Sequence, residues 1–356
     1  MIESRIPASR PSRLIADAAN LLHAIDVDSD GAIFIPTNRQ LLSNTAFIDG
    51  RSEIAVGPPE FAGISELKRA APREPTPARF VFHLSFCGST LLSRLIDVEG
   101  QSMVLKEPNC LVDLANWKSA QLRSGQQNEQ LRPILSLACD LLRRPFALGE
   151  AVTVKPSSWA NNILDDLVAV EDGMLPLFVT IDRAAFLVAV FRGGTDRLKF
   201  TARLASHMAS GLTNGDSILG AAVQGSGDPL GRAANLALLA HHLQLLAFQR
   251  AMMRGGWGAD HIIDFQSIIE SPFDAAWKAC RSLRLTVERS DLKRSVKENA
   301  GKHSKEPSID YSAAQRTADD RTVLDHHRLT FDAALSWAHR NLGTERELGA
   351  KNRMAA

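Results

Sequence analysis

The residues best suited to chemistry lie in one stretch that joins an apolar run to a helix. Positions 80–97 read FVFHLSFCGSTLLSRLID, which is typical of a buried strand, a short loop with hydroxyls and a glycine, and a helix that begins with Ser-Thr. Such a loop aims free backbone N–H groups and the positive end of the helix at one point. The sequence therefore predicts a phosphate- or phosphosulfate-binding loop formed by Ser85, Phe86, Cys87, Gly88, Ser89 and Thr90. The alternative is an ordinary strand–turn–helix connection in which Ser89 only caps the helix.

This loop differs from the type that binds ATP. The pattern GxxxxGK[ST] needs a glycine at position 83 and a lysine after the second glycine. The chain has His83 instead, and Ser89 directly follows Gly88. This difference disfavours a kinase or an ATPase. We expect Gly88 to let the backbone approach an oxyanion closely, because glycine carries no side chain.

Charged side chains stand where predicted strands end. Glu107 is the candidate general base, which would take the proton of an attacking hydroxyl. Lys106 and Lys155 also follow apolar runs, so either lysine is a candidate to stabilise negative charge during the reaction. Arg94, one turn into the helix after the loop, is a further candidate for anion binding. The plainer interpretation of each is a solvated charge or a structural ion pair.

Apolar runs and helical patterns alternate along most of the chain. We predict strands at positions 79–84, 103–106, 151–155, 177–181 and 261–265. We predict helices at positions 90–98, 159–170, 184–192 and 232–253, and helical stretches across 111–142. Alternation of this kind favours an α/β fold with a doubly wound, mainly parallel sheet flanked by helices. Since the carboxyl ends of parallel strands share one edge of the sheet, the loop, Glu107 and Lys155 are expected to lie together.

The flanking regions read as separate units. Positions 1–70 form an N-terminal accessory segment, with a predicted helix at 14–25 and a predicted strand at 32–36. Positions 71–79 contain three prolines and read as a stiff linker. The main nucleotide-binding domain is expected at 80–342, and the polar tail at 343–356 is expected to fray.

Composition disfavours two classes of partner, nucleic acids and membranes. The chain has 356 residues and a formal net charge of +1, so a nucleic-acid partner is not expected. No stretch approaches the roughly 20 apolar residues that a membrane span needs, so no membrane partner is expected either. The four cysteines are widely spaced and form no CxxC pair, which favours free thiols in a reducing, cytoplasmic setting. The oligomeric state does not follow from these features.

The loop and the blocks after it resemble the sulfotransferase family. That family's loop reads roughly Pro-Lys-Ser-Gly-Thr-Thr, and Gly88 aligns with its glycine. The segment is most similar to a bacterial subgroup with loops of the form FHxxFCxSTLLxRxLD. The similarity extends through LKEPNCLVDLA (105–115), VKPSSWANNIL (154–164) and HSKEPSIDYS (303–312). The resemblance covers the chain from about position 79 to about 337.

The resemblance implies an activity and further site residues. The donor would be 3′-phosphoadenosine-5′-phosphosulfate, with no metal expected, and the acceptor a small molecule or carbohydrate bearing a hydroxyl or an amine. Glu107 matches a catalytic glutamate that precedes a proline in carbohydrate sulfotransferases. Lys302 and Lys305 would belong to a basic loop that closes over the nucleotide, and Arg183 lies near the family's 3′-phosphate arginine.

The chain also departs from the family pattern. Phe86 stands where the family's loop carries a lysine or arginine, and Ala189 stands where a serine holds the 3′-phosphate. Ile181 occupies the matching arginine position, with Arg183 out of register. These departures keep a second interpretation open, in which the chain is a catalytically inactive nucleotide- or anion-binding protein on the same fold. A P-loop phosphotransferase is the third, less favoured interpretation.

Overall fold

The N-terminal region folds into a small antiparallel sheet with three short helices. The computed structural model describes residues 10–71, 76–126, 129–302 and 313–343. The sheet has the order β1-β2-β3, and both neighbouring pairs are antiparallel. The elements of this region are α1 (Arg10–Ala16), β1 (Asn20–Asp26), β2 (Gly31–Pro36), α2 (Arg39–Asn44), β3 (Glu60–Gly63) and α3 (Ile64–Ala70).

The helix predicted at 14–25 is wrong, whereas the strand predicted at 32–36 is confirmed. Helix α1 ends at Ala16, and a turn follows in which the Asn20 N–H donates to the Asp17 carbonyl over 3.1 Å. The Asp17 carboxylate also accepts from the Ala19 N–H, which stabilises the turn. The spacing of apolar residues after this turn is compatible with a helix or a strand. The segment forms a strand because it pairs with β2.

Five short strands form the parallel sheet at the centre of the molecule. Their order is β5-β6-β4-β7-β8, and every neighbouring pair is parallel. They are β4 (Arg79–His83), β5 (Ser102–Lys106), β6 (Ala151–Lys155), β7 (Leu175–Thr180) and β8 (Ile262–Asp264). All five strands predicted for the main domain are confirmed within a few residues. Their apolar runs lack polar alternation because helices cover the sheet and bury its residues.

Helices follow the strands and flank this sheet. The helical stretches predicted across 111–142 form two helices, and predicted helix 159–170 begins with a 3₁₀ helix at Ser158–Ile163. The helices are α4 (Ser89–Leu95), α5 (Asn109–Arg123), α6 (Leu131–Leu142), α7 (Leu164–Val170), α8 (Arg183–Arg192), α9 (Gly194–Ala209), α10 (Gly215–Gln224), α11 (Pro229–Gly255), α12 (Phe265–Glu270), α13 (Pro272–Ser282), α14 (Arg289–Asn299) and α15 (Ala313–Leu342). Within the described ranges, none of them is long and apolar enough to cross a membrane.

The strand order changes direction at β4. After β4 the chain continues to β5 and β6 on one side, and it then crosses to β7 and β8 on the other. In open α/β sheets, ligands bind outside the carboxyl ends of the strands at such a switch point. The loop after β4 therefore lies at the position where this architecture places a ligand.

The N-terminal region packs against the β5 side of the central sheet. The Arg39 guanidinium binds Glu150 at 2.6 Å and Asp97 at 2.9 Å. The Ile48 N–H donates to the Lys106 carbonyl over 2.8 Å, at the carboxyl end of β5. Segment 45–51 therefore crosses the edge of the sheet at which the candidate residues lie.

Candidate functional site

The loop at 85–90 connects the central strand β4 to α4. Gly88 precedes α4 and has a left-handed backbone, with φ of 77°. The Ser85 hydroxyl lies 2.7 Å from the Ser158 hydroxyl, which stands beyond the end of β6. This contact ties the loop to the neighbouring strand end. Ser85, Ser89 and Thr90 are all buried.

The structure adds a packing reason for glycine at position 88, whereas the approach of an oxyanion to its backbone stays a prediction. A Cβ atom added there would lie 3.1 Å from Cδ2 of Phe265, so it would point into packing against α12. Glycine is needed because of its positive φ and this close packing, since a side chain is unfavourable in the left-handed region. A side chain at Gly88 would therefore press against Phe265, and it would not fill a space open to an oxyanion.

Phe86 has an apolar environment. Its ring centroid lies 6.0 Å from that of Phe186 on α8 and 6.1 Å from that of Phe200 on α9. Its φ of 63° is unusual for a residue other than glycine. The surrounding aromatic residues therefore hold Phe86 in a conformation that the isolated chain would disfavour.

Cys87 is a buried packing residue. Burial raises the pKa of its thiol to about 12, so the sulfur stays protonated at neutral pH. Its Sγ atom lies 3.5 Å from the Val179 carbonyl on the neighbouring strand β7. The thiol is therefore not a nucleophile under these conditions.

Glu107 and Lys155 form a buried ion pair at the carboxyl ends of β5 and β6. Lys155 Nζ lies 2.6 Å from Glu107 Oε1, and the Lys155 side chain is 0% exposed. Glu107 directly follows β5, and its φ of 63° departs from strand geometry. This turn brings the carboxylate to the lysine of the next strand.

Glu107 is ionised at neutral pH. Burial raises its pKa, but the positive charges of Lys155 and Arg51 and the hydrogen bond from Lys155 outweigh burial, so that the pKa lies below its ordinary value. Lys155 also lowers the pKa of the Cys87 thiol, although less than burial raises it. The lysine charge thus reaches both the carboxylate and the loop.

His83, the last residue of β4, completes this group. Its Nε2 atom lies 3.9 Å from Glu107 Oε1 and 3.0 Å from the Pro156 carbonyl. Burial and the Lys155 charge lower the pKa of His83 to about 4. The imidazole is therefore neutral at pH 7.

Lys106 is directed elsewhere, although it pairs in register with Lys155. Its Nζ donates to the Ser43 carbonyl over 2.7 Å and lies 3.9 Å from Asp97. Burial lowers the pKa of Lys106 to about 8, with smaller contributions from neighbouring cations. The structure therefore places its ammonium group against the N-terminal region, while Lys155 contacts Glu107.

The remaining cationic candidates are dispersed. Burial lowers the pKa of the Arg94 guanidinium, and the nearby Asp97 carboxylate offsets only part of this effect. Arg183 begins α8 and donates to the Gly343 carbonyl over 2.7 Å. Lys302 is exposed at the end of the third described range. Lys305 lies outside the described residues, so its role stays a prediction.

The sequence analysis missed two residues of this site. Arg51 Nη2 lies 3.5 Å from Glu107 Oε2, and its guanidinium stacks on the Phe47 ring at 4.0 Å. Lys155 Nζ lies 5.6 Å from the centre of the same ring. Both residues come from the N-terminal region, and no motif around them marks them. Only the packing of 45–51 across β5 brings them to Glu107.

No protein-family profile matches the chain, and no curated protein does. Among solved structures, the chain is similar to a sulfotransferase domain from the curacin biosynthetic pathway, with 10% sequence identity and a TM-score of 0.39. The alignment covers 77% of this chain and 100% of that one. A likeness this distant has no bearing on the activity of the present chain.

Proposed function

We propose that this protein is a sulfotransferase that moves a sulfuryl group from 3′-phosphoadenosine-5′-phosphosulfate to a hydroxyl or amine. The observation that carries the proposal is the buried Lys155–Glu107 pair, which lies at the carboxyl ends of β5 and β6 beside the loop after β4. The pair combines a cation for the donor with a carboxylate for the acceptor. The acceptor would be a small molecule or a carbohydrate.

Sulfuryl transfer makes two demands, and the pair meets both. An acceptor oxygen or nitrogen attacks sulfur, and the bond between sulfur and the bridging phosphate oxygen breaks. Negative charge then accumulates on the leaving adenosine 3′,5′-bisphosphate, and Lys155 would stabilise that charge. The acceptor loses a proton in the same step, and Glu107 would accept it.

The low pKa of Glu107 fits this role once the donor binds. A carboxylate paired with Lys155 and Arg51 is a weak base, because both cations stabilise its charge. A donor that draws the Lys155 ammonium toward its own oxygens would weaken this stabilisation. The pKa of Glu107 would then rise, and the carboxylate would become a better base when the donor is in place.

Arg51 and Lys155 would position the carboxylate. Arg51 reaches Oε2 of Glu107, while Lys155 contacts Oε1. A cation on each oxygen restricts rotation of the carboxylate, and orientation of this kind lowers the entropic part of the barrier.

A second candidate is an anion- or nucleotide-binding protein without transferase activity. Phe86 supports it, because the ring brings no charge to the loop and packs among other aromatic rings. Ala189 supports it as well, since this residue is 2% exposed and offers no hydroxyl to a phosphate.

Binding and transfer should be measured separately. Calorimetry would compare adenosine 3′,5′-bisphosphate with ATP, with and without Mg²⁺, on the unmodified protein. Transfer of labelled sulfate would be followed to a panel of alcohols, phenols, sugars and amines. Lys155→Met should reduce transfer by about 10²–10³, the scale of a lost preorganised donor. Lys106→Met is the matched control, because it removes another buried lysine whose ammonium contacts the Ser43 carbonyl.

Each outcome points to one function. Metal-independent transfer that collapses in Lys155→Met and persists in Lys106→Met supports the sulfotransferase. Tight binding without transfer to any acceptor favours the anion-binding protein. Strict Mg²⁺ dependence with ATP would contradict both and favour a phosphotransferase.

A further inference from the structure

A guanidinium group lies against the loop from a helix distant in sequence. Arg197 stands in the first turn of α9, and its Cζ atom lies 4.8 Å from the centre of the Phe86 ring. Positions 85–90 themselves read SFCGST and contain no cationic residue. The loop therefore has an adjacent cation that its own sequence does not supply.

Three contacts hold Arg197 in this position. Its Nη1 atom donates to the Ala189 carbonyl on α8 over 2.5 Å. Its aliphatic stem covers Gly193, where an added Cβ would lie 1.9 Å from the arginine Cδ. Its guanidinium lies over the Phe86 ring, a contact that favours a cation. A side chain fixed in this way loses little further freedom when it binds a ligand.

These contacts place Arg197 at the switch point of the sheet. Phe86 follows β4, and Ala189 lies on α8, the helix after β7. Strands β4 and β7 are neighbours whose chains continue in opposite directions along the sheet. Arg197 contacts both sides of the crevice between them, which is where an open α/β sheet binds its ligand.

We infer that Arg197 binds an anionic group of the nucleotide donor at this crevice. A guanidinium group matches the oxygens of a phosphate or sulfate because its planar N–H groups can donate in parallel. On this inference, the Phe86 ring positions Arg197, and Gly193 leaves room for its stem. The inference rests on the proposed function, and it adds a binding residue on the β7 side, opposite Lys155.

Affinity for adenosine 3′,5′-bisphosphate is the test, measured by calorimetry at several salt concentrations. Arg197→Met should weaken binding by roughly 10- to 100-fold, the usual range for charge-assisted hydrogen bonds. It should also make the affinity less dependent on salt. Arg203→Met is the matched control, because it removes an equal charge from the exposed surface of α9. That variant should bind within about threefold of the parent protein.

Two further variants separate a binding role from a structural one. Gly193→Ala should displace the arginine without removing it, and it should also weaken binding. Phe86→Lys combined with Arg197→Met puts a cation into the loop itself, and it should recover part of the lost affinity. Thermal melting of each variant shows whether it is folded.

The results distinguish this inference from the proposed function. Parent-like affinity in folded Arg197→Met, with sulfate transfer that still collapses in Lys155→Met, would overturn the role of Arg197 and keep the proposed function. A parent protein that binds no adenosine 3′,5′-bisphosphate would overturn both. Weak binding in Arg197→Met and Gly193→Ala, with parent-like binding in Arg203→Met, supports the inference.

Discussion

Two residues of the candidate site adopt a backbone conformation that glycine normally fills. Glu107 and Phe86 both have a φ of 63°. The left-handed region costs an ordinary residue about 1–2 kcal/mol. Residues in this state persist where their surroundings hold them, and they occur preferentially at functional sites. Here the ion pair holds one residue and the aromatic cluster holds the other, so the site is stabilised by its side chains.

The first prediction concerns Glu107. Glu107→Gln keeps the shape of the side chain but cannot accept a proton at neutral pH. We expect sulfate transfer to fall by about 10²–10⁴, the usual contribution of a positioned base. Affinity for adenosine 3′,5′-bisphosphate should stay the same or increase, because Lys155 loses its competing carboxylate. Single-turnover transfer and calorimetry measure the two effects.

Asp113→Asn is the control for this prediction. The Asp113 carboxylate accepts from the Ile25 N–H over 3.0 Å and from the Asn109 amide, so its role is structural. Its replacement should leave transfer intact in the folded protein. Full transfer in Glu107→Gln would exclude this carboxylate as the base and make His83 the next candidate.

At the level of secondary structure, the loop and α12 form one packed unit. Gly88→Ala should lower the free energy of unfolding by roughly 1–2 kcal/mol, because alanine must adopt a left-handed φ and its Cβ would press on Phe265. Urea denaturation measures this change. Adding Phe265→Leu to the Gly88→Ala variant should relieve the clash between the new Cβ and the Phe265 ring. It should not relieve the unfavourable φ of alanine at position 88, so only part of the lost free energy of unfolding should be recovered.

Gly220→Ala is a useful comparison for this variant. Gly220 lies inside α10, and no atom would lie within 4 Å of an added Cβ. The substitution should stabilise the protein by about 0.5–1 kcal/mol, since alanine favours a helix interior. A Gly88→Ala variant as stable as the parent would show that the loop tolerates a side chain there.

The sequence predicts the parallel sheet well because its strands are short apolar runs between clear helical patterns. The position of Glu107 and Lys155 follows from the same strands, since both residues stand at carboxyl ends. The direction of the Lys106 ammonium could not be predicted, because it depends on the Ser43 carbonyl reaching it from another region. The contact of Arg51 with Glu107 could not be predicted either, because it also depends on packing between segments that are distant in sequence. Local patterns define strands, whereas the packing between distant segments decides which side chains meet.

For the whole molecule, Arg144, which follows α6, joins that helix to the N-terminal region. Its guanidinium donates to the carbonyls of Leu14, Asp17 and Asn20 over 2.8–2.9 Å. We expect Arg144→Met to lower the free energy of unfolding by about 2–4 kcal/mol, because it leaves several acceptors without their donor. Proteolysis under native conditions should then cut first within 10–71.

Arg250→Met provides the comparison, since it removes a half-exposed ion pair with Asp165. Such a pair contributes less than about 1 kcal/mol. Equal stability losses in Arg144→Met and Arg250→Met would contradict the role given to Arg144. Unchanged proteolysis of the N-terminal region in Arg144→Met would contradict it as well.

The molecule should lose stability in mild acid. Burial, the first cause in each case, lowers the pKa values of His83, His207, His241 and His242 to about 4. An unfolded histidine has a pKa near 6.5. Between these two pKa values the unfolded chain binds more protons than the folded chain does. The free energy of unfolding therefore falls as the pH drops from about 6.5 to about 4. Above about pH 6.5 the four neutral histidines make their full contribution to the free energy of unfolding.

We expect the free energy of unfolding in urea to decrease by roughly 2 kcal/mol or more between pH 7 and pH 5. Glu107, whose pKa is lowered by its cationic neighbours against the effect of burial, adds a loss in the same direction at lower pH. His242→Gln should reduce the slope, because it removes one of the four groups. Equal stability at pH 7 and pH 5 would contradict this account.

The contact between Arg144 and Leu14 also has a consequence for the order of events during synthesis of the chain. The two residues are separated by 130 positions. At ribosomal rates of about 5–20 residues per second, Leu14 waits on the order of 10 s before its partner is even polymerised. The surface on which the N-terminal region docks is incomplete during that interval, because it includes α6 as well as β5 and α5, so part of the apolar β1 surface that is buried in the folded protein stays open to other chains. A nascent chain of this protein thus passes through a period in which a ribosome-associated chaperone has a surface to bind.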